Sequence, residues 1–117
     1  MSSNTNEYNK AYYESNRKKR IAQIRVSREA QRERNRNSLR EYLQNSLCAD
    51  CGNVDWRVLQ LDHVGKDKKL EVTLMVSRGY KWDTIQKEIA KCEVVCANCH
   101  IIRTGSRGNW WRFHKPE

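Results

Sequence analysis

The chain has 117 residues, of which 38% are hydrophobic and 32% charged, and its formal net charge is +9. A chain this short forms one domain at most, and so polar a composition buries too little apolar surface to fold without a metal or a partner. No apolar run reaches the roughly 18–20 residues of a membrane span, and the N-terminus is no signal peptide. We therefore expect a cytoplasmic protein that does not contact the membrane.

Residues 1–47 are predicted to form a basic helical segment. They contain eleven Lys/Arg against five acidic residues, a net +6, whereas residues 48–117 contain twelve against nine, a net +3. Because neither Gly nor Pro occurs between residues 7 and 46, the pattern predicts helix, with a joint near residues 26–28 and a disordered start over residues 1–6. Nucleic acid is the polyanion that suits such a segment, and a solvated charged helix is the alternative. The candidate phosphate contacts are Arg17, Lys18, Lys19, Arg20 and Arg25.

Residues 48–117 are predicted to form a small α+β domain. The patterns indicate a short strand over 57–64, a helix or strand over 70–77 that stops at Gly79, and a helix over 83–91 that begins with a capping box. A second strand over 93–95 and a final helix from residue 97 follow. The side chains predicted to pack on this core from the first segment are Leu39, Tyr42, Leu43 and Leu47. An aromatic tail ends the chain, and its members Trp110, Trp111 and Phe113 are expected to pack over the core or, alternatively, to stack on bases.

Five cysteines in a cytoplasmic chain argue for metal binding rather than disulfides. Cys48 and Cys51 form one CxxC pair, and Cys96 and Cys99 form another after 44 intervening residues. Four thiolates match the tetrahedral coordination of a structural Zn²⁺, so the pairs are predicted to clip the two ends of a substructure together. Cys92 lies outside both pairs and is interpreted as a small buried residue, with a reactive thiol as the alternative.

His100 directly follows the second CxxC pair and is not needed for a four-cysteine site. On a helix it is turned by about 100° from Cys99, so it should lie beside the zinc site rather than in it. Asp62 and His63, at the end of the first predicted strand, are candidates to share this second site, because Gly65 allows the strand to end there. Asp and two His suit a divalent ion with one imidazole left free as a base.

A CxxC pair, a strand that ends in Asp-His, and the run CEVVCANCHIIRT together resemble the HNH endonucleases, in particular small phage and prophage members with a basic helical N-terminus. The resemblance covers about residues 48–104. It implies a small treble-clef-like ββα-metal core that a structural Zn(Cys)4 site clips together. The basic helical segment precedes this core. It also implies hydrolysis of DNA phosphodiester bonds, in one strand or both, that leaves a 5′-phosphate and a 3′-hydroxyl.

The resemblance further assigns roles to individual residues. His63 is implied to be the general base, and Asp62 and His100 are implied to hold a catalytic Mg²⁺, Mn²⁺ or other divalent ion. The family commonly has an Asn about five residues before the second CxxC pair, where this chain has Lys91, and Asn98 is the nearby candidate to replace it. Further expected phosphate contacts are Lys66, Lys68, Lys69 and Arg103.

Two other functions stay open at this stage. A zinc-containing module that only binds nucleic acid, without catalysis, would have the same cysteines and basic segment but no need for Asp62 beside His63. A nuclease that acts mainly on RNA is also compatible with the motif. The sequence leaves open whether the protein is a monomer or a dimer.

Overall fold

A computed structural model describes residues 2–113, and its elements follow the chain in a simple order. Helix α1 spans Ser2–Gln44, strand β1 spans Leu59–His63, helix α2 spans Val72–Ser77 and helix α3 spans Trp82–Ile89. Strand β2, Cys92–Cys96, leads directly into helix α4, Ala97–Arg107. Short 3-10 turns lie at Trp56–Val58 and Trp111–Phe113. The predicted α+β class is therefore confirmed.

Helix α1 is a single helix of 43 residues. The joint predicted near residues 26–28 is wrong, because no helix-breaking residue interrupts the run and helical backbone bonds continue through it. The disordered start predicted for residues 1–6 is also wrong from Ser2 onward, where the helix begins, and Met1 lies outside the described residues. All side chains of residues 6–30 are exposed, so this part of the helix contributes nothing to the core.

The last third of α1 is anchored to the turn that joins α2 and α3. Asn35 is fully buried, and its Nδ2 donates to the carbonyl of Tyr80 at 2.8 Å. Arg32 Nε donates to the carbonyl of Ser77 at 2.6 Å. At Gly79, whose φ is +75°, a Cβ would lie 2.9 Å from Cγ of Arg28, so glycine both ends α2 and lets α1 approach.

Strands β1 and β2 form a two-stranded antiparallel sheet. In its register Leu59 lies opposite Cys96, and His63 lies opposite Cys92. Helix α4 packs against both strands, so the sheet and α4 form a β–β–α unit into which α2 and α3 are inserted. This unit brings the end of β1 next to the first turns of α4.

Two apolar clusters form the core. The first joins α2 to α3 and contains Val72, Met75, Val76, Ile85 and Ile89, with Leu39 of α1 packed against it. The second surrounds the cysteines and contains Cys48, Leu59, Val95 and Cys96, with Leu43 packed against it. Of the four side chains of α1 and its continuation that were predicted to pack, Leu39 and Leu43 do so, whereas Tyr42 and Leu47 are exposed.

Two further details differ from the sequence prediction. Helix α3 begins at Trp82 with Lys81 as its N-cap, and no side chain caps it, so the predicted capping box at Asp83 does not form. The aromatic tail turns back onto α4, where the ring of Phe113 occupies the space that a Cβ on Gly105 would need. Trp111, in contrast, is 82% exposed.

Candidate functional site

The four cysteines of the two CxxC pairs form one cluster. The sulfur atoms of Cys48, Cys51, Cys96 and Cys99 all lie within 4.8 Å of one another, and those of Cys51 and Cys96 are 3.7 Å apart. Four sulfurs placed about 2.3 Å from a tetrahedral zinc would be separated by about 3.8 Å. The cluster could therefore hold a structural metal such as Zn²⁺, as the spacing of the cysteines predicts.

Local backbone geometry builds each half of this cluster. In the first half the N–H of Gly52 donates to the carbonyl of Cys48, and the φ of +78° at Gly52 reverses the chain behind Cys51. The N–H of Ala49 donates to the carbonyl of Val94, which attaches this turn to β2. In the second half Cys96 ends β2 and caps α4, and its sulfur accepts from the N–H of Cys99.

The cysteines of the cluster differ in the pKa of their thiols. Burial disfavours the thiolate of Cys48, but backbone N–H groups of Cys96, Cys51 and Asp50 outweigh this effect and lower the pKa of Cys48 to about 6. The hydrogen bond with Cys96 and burial raise the pKa of Cys99, and the nearby charge of Cys48 raises it further. Because neighbouring thiolates repel one another, four ionised sulfurs at these distances require a cation between them.

Asp62 and His100 meet beside the cysteine cluster. His100 Nε2 lies 3.5 Å from Asp62 Oδ1, and its Nδ1 lies 2.6 Å from Oε1 of Gln60, which holds the ring in place. A nitrogen and an oxygen that bind one ion at about 2.1 Å each are about 3.0–3.5 Å apart. The spacing of these two atoms therefore fits a shared divalent ion, although two protein ligands alone leave most positions to water or phosphate.

Two arginines of α4 occupy the Asp62 carboxylate. Arg107 donates to both of its oxygens, at 3.0 and 2.8 Å, and Arg103 donates to Oδ2 at 2.9 Å. The hydrogen bonds from Arg107, opposed by burial and reinforced by Arg103, lower the pKa of Asp62 to about 2. Any cation that binds Asp62 must displace these hydrogen bonds or bind the carboxylate alongside them. The sequence did not indicate that Asp62 has these arginine partners.

His63 lies on the other side of the Asp62 backbone, as alternation along a strand requires. Its Nε2 is 3.6 Å from Oε2 of Glu88, with the two side chains 9% and 2% exposed. Even so, His63, Asp62 and His100 all line one cavity of about 280 Å³. The cavity is completed by residues of β1, of the segment between β1 and α2, and of α4, namely Leu61, Gly65, Lys68, Glu71, Thr104 and Arg107.

The remaining predicted site residues are distributed unevenly around this cavity. Lys68 lines it and pairs with Glu71, whereas Lys66 and Lys69 are exposed on the neighbouring loop and do not line it. Asn98 is exposed on α4 and does not reach the cavity. Arg103 contacts Asp50, Asp62 and Glu93, so its guanidinium already has three carboxylate partners within the protein.

The predicted basic contacts of α1 are exposed. Within residues 2–113, no ion pair is made by the seven Lys/Arg between positions 10 and 28, which include Arg17, Lys18, Lys19, Arg20 and Arg25. Further along the helix, Glu29 pairs with Arg32 and Arg36. The seven cations of positions 10–28 are thus available to a partner, whereas Arg32 and Arg36 are already occupied by Glu29.

Two residues of the site were missed by sequence reasoning. Nothing in the sequence marks Arg107 as a partner of Asp62, because the two residues lie 45 positions apart. Glu88 was not singled out, although a signal existed, since it lies three residues after Ile85 and one before Ile89 on the buried face of α3. A carboxylate at such a position needs a partner inside the protein.

Comparisons with protein-family models, with curated proteins and with solved structures found no match to this chain. Among the helices of the described residues, none has the length and apolar character to cross a bilayer. The site consists of a four-cysteine cluster adjoining a cavity that is lined by a carboxylate and two imidazoles.

Proposed function

We propose that the protein is a divalent-metal-dependent DNA endonuclease of the HNH type. The observation that carries the proposal is that Asp62, His63 and His100 line one cavity beside the four-cysteine cluster. An antiparallel strand pair followed by a helix, with Asp-His at the end of the first strand and His100 in the helix, is also the arrangement that the resemblance to HNH endonucleases implies.

In the proposed reaction each of the three residues has a separate task. His63 accepts a proton from a water molecule as the water oxygen bonds to phosphorus, and the bond between phosphorus and the 3′ oxygen breaks. Asp62 and His100 would hold the divalent ion. When bound, such an ion neutralises charge on the phosphate and on the leaving oxygen. The leaving 3′ oxygen takes a proton from solvent water, so the products are a 5′-phosphate and a 3′-hydroxyl.

The exposed cations of α1 support DNA as the substrate. A rod that carries seven unpaired Lys/Arg between positions 10 and 28 can bind phosphates without first breaking internal ion pairs. Neutralised phosphates release their counterions, which makes such binding strong at low salt and weak at high salt. Lys68 lines the cavity and is the residue of the core that we expect to contact a phosphate near the cleavage point.

A second candidate function is a zinc-containing module that binds nucleic acid without cutting it. It is favoured by the bonds of Arg103 and Arg107 to Asp62, which satisfy this carboxylate without any ion. In that case Asp62 holds α4 against β1, and the cavity has no chemical role.

Incubation of the purified protein with supercoiled plasmid, with and without Mg²⁺ or Mn²⁺, tests the proposal. We expect nicking or linearisation that requires added metal, and a loss of about 10²–10⁴ in rate for His63→Ala, since it removes the general base. Val64→Ala, at the exposed neighbouring position, is the matched control and should cut normally. Bound zinc and melting temperature should be unchanged in both variants.

Calorimetric titration with Mn²⁺ provides a measurement that does not depend on cleavage. The unaltered protein should bind one ion beyond its zinc, and Asp62→Asn should lose that ion while it keeps the zinc. A protein that binds DNA but cuts neither DNA nor RNA with any divalent ion would establish the binding module instead.

A further inference from the structure

The buried pair of His63 and Glu88 is unexplained by the proposed roles. Among the side chains of residues 6–113, His63 Nε2 is the only buried nitrogen or oxygen that lacks a hydrogen-bond partner. A buried polar atom without a partner is costly, and such atoms call for a functional explanation. The nearest carboxylate oxygen, Oε2 of Glu88, is 3.6 Å away, just beyond hydrogen-bond distance.

Glu88 is held firmly on its other sides. Lys91 Nζ donates to Oε1 at 2.9 Å, and the backbone N–H of Lys69 donates to Oε2 at 3.2 Å. Lys91 is fixed in turn by the carbonyl of Asp67 at 2.9 Å. The carboxylate is therefore anchored to the loop after β1 as well as to α3, and its Oε2 is directed at His63.

This arrangement determines which nitrogen of His63 can act as a base. A carboxylate only accepts hydrogen bonds, so the proton of a neutral imidazole facing Glu88 belongs on Nε2. Nε2 is also sealed from solvent. Since His63 lines the cavity, Nδ1 is the nitrogen left with a free lone pair to accept a proton there.

We propose that Glu88 is the positioning residue for His63, which fixes the Nε2–H tautomer and directs Nδ1 to the substrate. The assignment rests on the proposed nuclease function. Lys91, at the position where the resemblance expects an Asn, then acts on Glu88 rather than on the histidine. The separation of 3.6 Å is compatible with this role, because catalytic hydrogen bonds are often long before substrate binds.

A structural alternative exists, in which Glu88 serves only as the buried partner of Lys91. Loss of Glu88 would then destabilise the protein, but its effect on cleavage would be independent of His63. The two explanations differ in whether the effects of removing Glu88 and His63 add, which a double-mutant cycle measures.

The test compares Glu88→Ala, His63→Ala and the double variant, with Asp83→Asn as the matched control. Asp83 is an exposed carboxylate on the same helix and should be dispensable. We expect Glu88→Ala to lower kcat about 10–100-fold, as removal of a carboxylate that orients a histidine does elsewhere, with KM within about twofold. The double variant should be no slower than His63→Ala. Rate losses that multiply in the double variant would overturn the assignment.

Glu88→Gln covers the case in which the alanine variant does not fold. Its side-chain oxygen can still accept from Nε2–H, so it should retain zinc and keep kcat within about tenfold of the unaltered protein. Nitrogen-15 spectra of the imidazole provide a readout that needs no cleavage. The Nε2–H tautomer should dominate in the unaltered protein, and a dominant Nδ1–H tautomer would overturn the assignment even in an active enzyme.

The results also separate the two proposals. If the unaltered protein cuts no nucleic acid with any divalent ion, the nuclease function fails, and the assignment of Glu88 fails with it. If the unaltered protein cuts DNA and folded Glu88→Ala cuts it with an unchanged kcat, only the assignment of Glu88 fails.

Discussion

The exposed part of α1 and the core use charge in opposite ways. Over residues 6–30 all side chains are exposed, and the Lys/Arg of positions 10–28 make no ion pairs within the described residues. In the core, by contrast, Arg103 alone contacts three carboxylates. Paired charges hold the core together, whereas the unpaired ones are free to bind a partner. Net charge therefore matters less than where its counter-charges lie.

The same contrast applies to how each region is stabilised. The core combines two apolar clusters with a four-cysteine site, whereas the exposed residues 6–28 of α1 rely on the backbone hydrogen bonds of the helix itself. A solvated helix without an apolar face gains little from packing, so its stability depends on propensity and length. Each region can therefore be altered while the other is monitored.

The largest effect is expected from breaking the cysteine cluster. Cys96→Ser should lose the zinc and unfold the core, because zinc binding at such sites contributes about 10–16 kcal/mol and is coupled to folding. Cys92→Ser, which alters a cysteine outside the cluster, should keep both zinc and fold. Metal analysis and circular dichroism measure the outcome. A zinc-free Cys96→Ser protein with an unchanged melting temperature would contradict the structural role of the site.

The next effect tests whether the paired arginines stabilise the core. Arg103→Gln should lower the free energy of unfolding by about 3 kcal/mol, since it leaves the buried Asp62 with one partner fewer and frees Asp50. Arg107→Gln should cost less than about 1 kcal/mol, because Arg107 is 53% exposed. Arg17→Gln on the exposed helix is the control and should change nothing. Denaturant titration gives all three values, and equal costs would refute the contrast between the two regions.

Truncation tests the other region. Deleting residues 1–28 should reduce DNA affinity roughly 100-fold at low salt and lower the salt slope by about 0.9 for each phosphate that the protein no longer neutralises. Zinc content and melting temperature should be preserved. Deleting residues 1–36 should also lower the melting temperature, because it removes Arg32 and Asn35. Unaltered affinity and slope after the shorter deletion would show that this helix does not bind DNA.

The smallest effect concerns the junction of the two regions. Asn35→Ala should cost about 1–3 kcal/mol, because it removes the hydrogen bond that the fully buried Asn35 donates to the carbonyl of Tyr80. Asn37→Ala, an exposed position two residues further along, is the control and should stay within about 0.5 kcal/mol. Thermal unfolding of both variants measures the difference, and equal melting temperatures would show that Asn35 does not anchor α1.

Much of the fold was predictable from local patterns. Gly79 marked the end of α2, the apolar residues of β2 marked a strand, and the two CxxC pairs predicted one cluster. These features depend on neighbours in the sequence, which periodicity and spacing describe. The single long α1 was missed because the polar, uncharged residues 2–6 and the lack of an apolar face give no local sign of one continuous helix.

The candidate site was predictable only in part. Asp62, His63 and His100 were identified, and they do line one cavity. The bonds from Arg103 and Arg107 to Asp62 join positions 41 and 45 residues apart, so no local pattern could reveal them. Two conditions place His63 next to Glu88: the alternation of side chains along β1 and the position at which α3 packs. Only tertiary structure determines the second of these.

The spacing of the cysteine pairs has a consequence for chain entropy. A metal that joins Cys51 to Cys96 closes a loop with 44 residues between them. Closing such a loop in an unstructured chain costs about 4 kcal/mol by the estimate used for cross-links. In the folded protein the pairing of β1 with β2 has already brought the two ends of this loop together. The effective concentration of the second CxxC pair at the first is therefore roughly a thousand times higher than in the unfolded chain. Zinc affinity should therefore report how completely the two-stranded sheet has formed, when it is compared with that of an unstructured chain that carries both CxxC pairs at the same spacing.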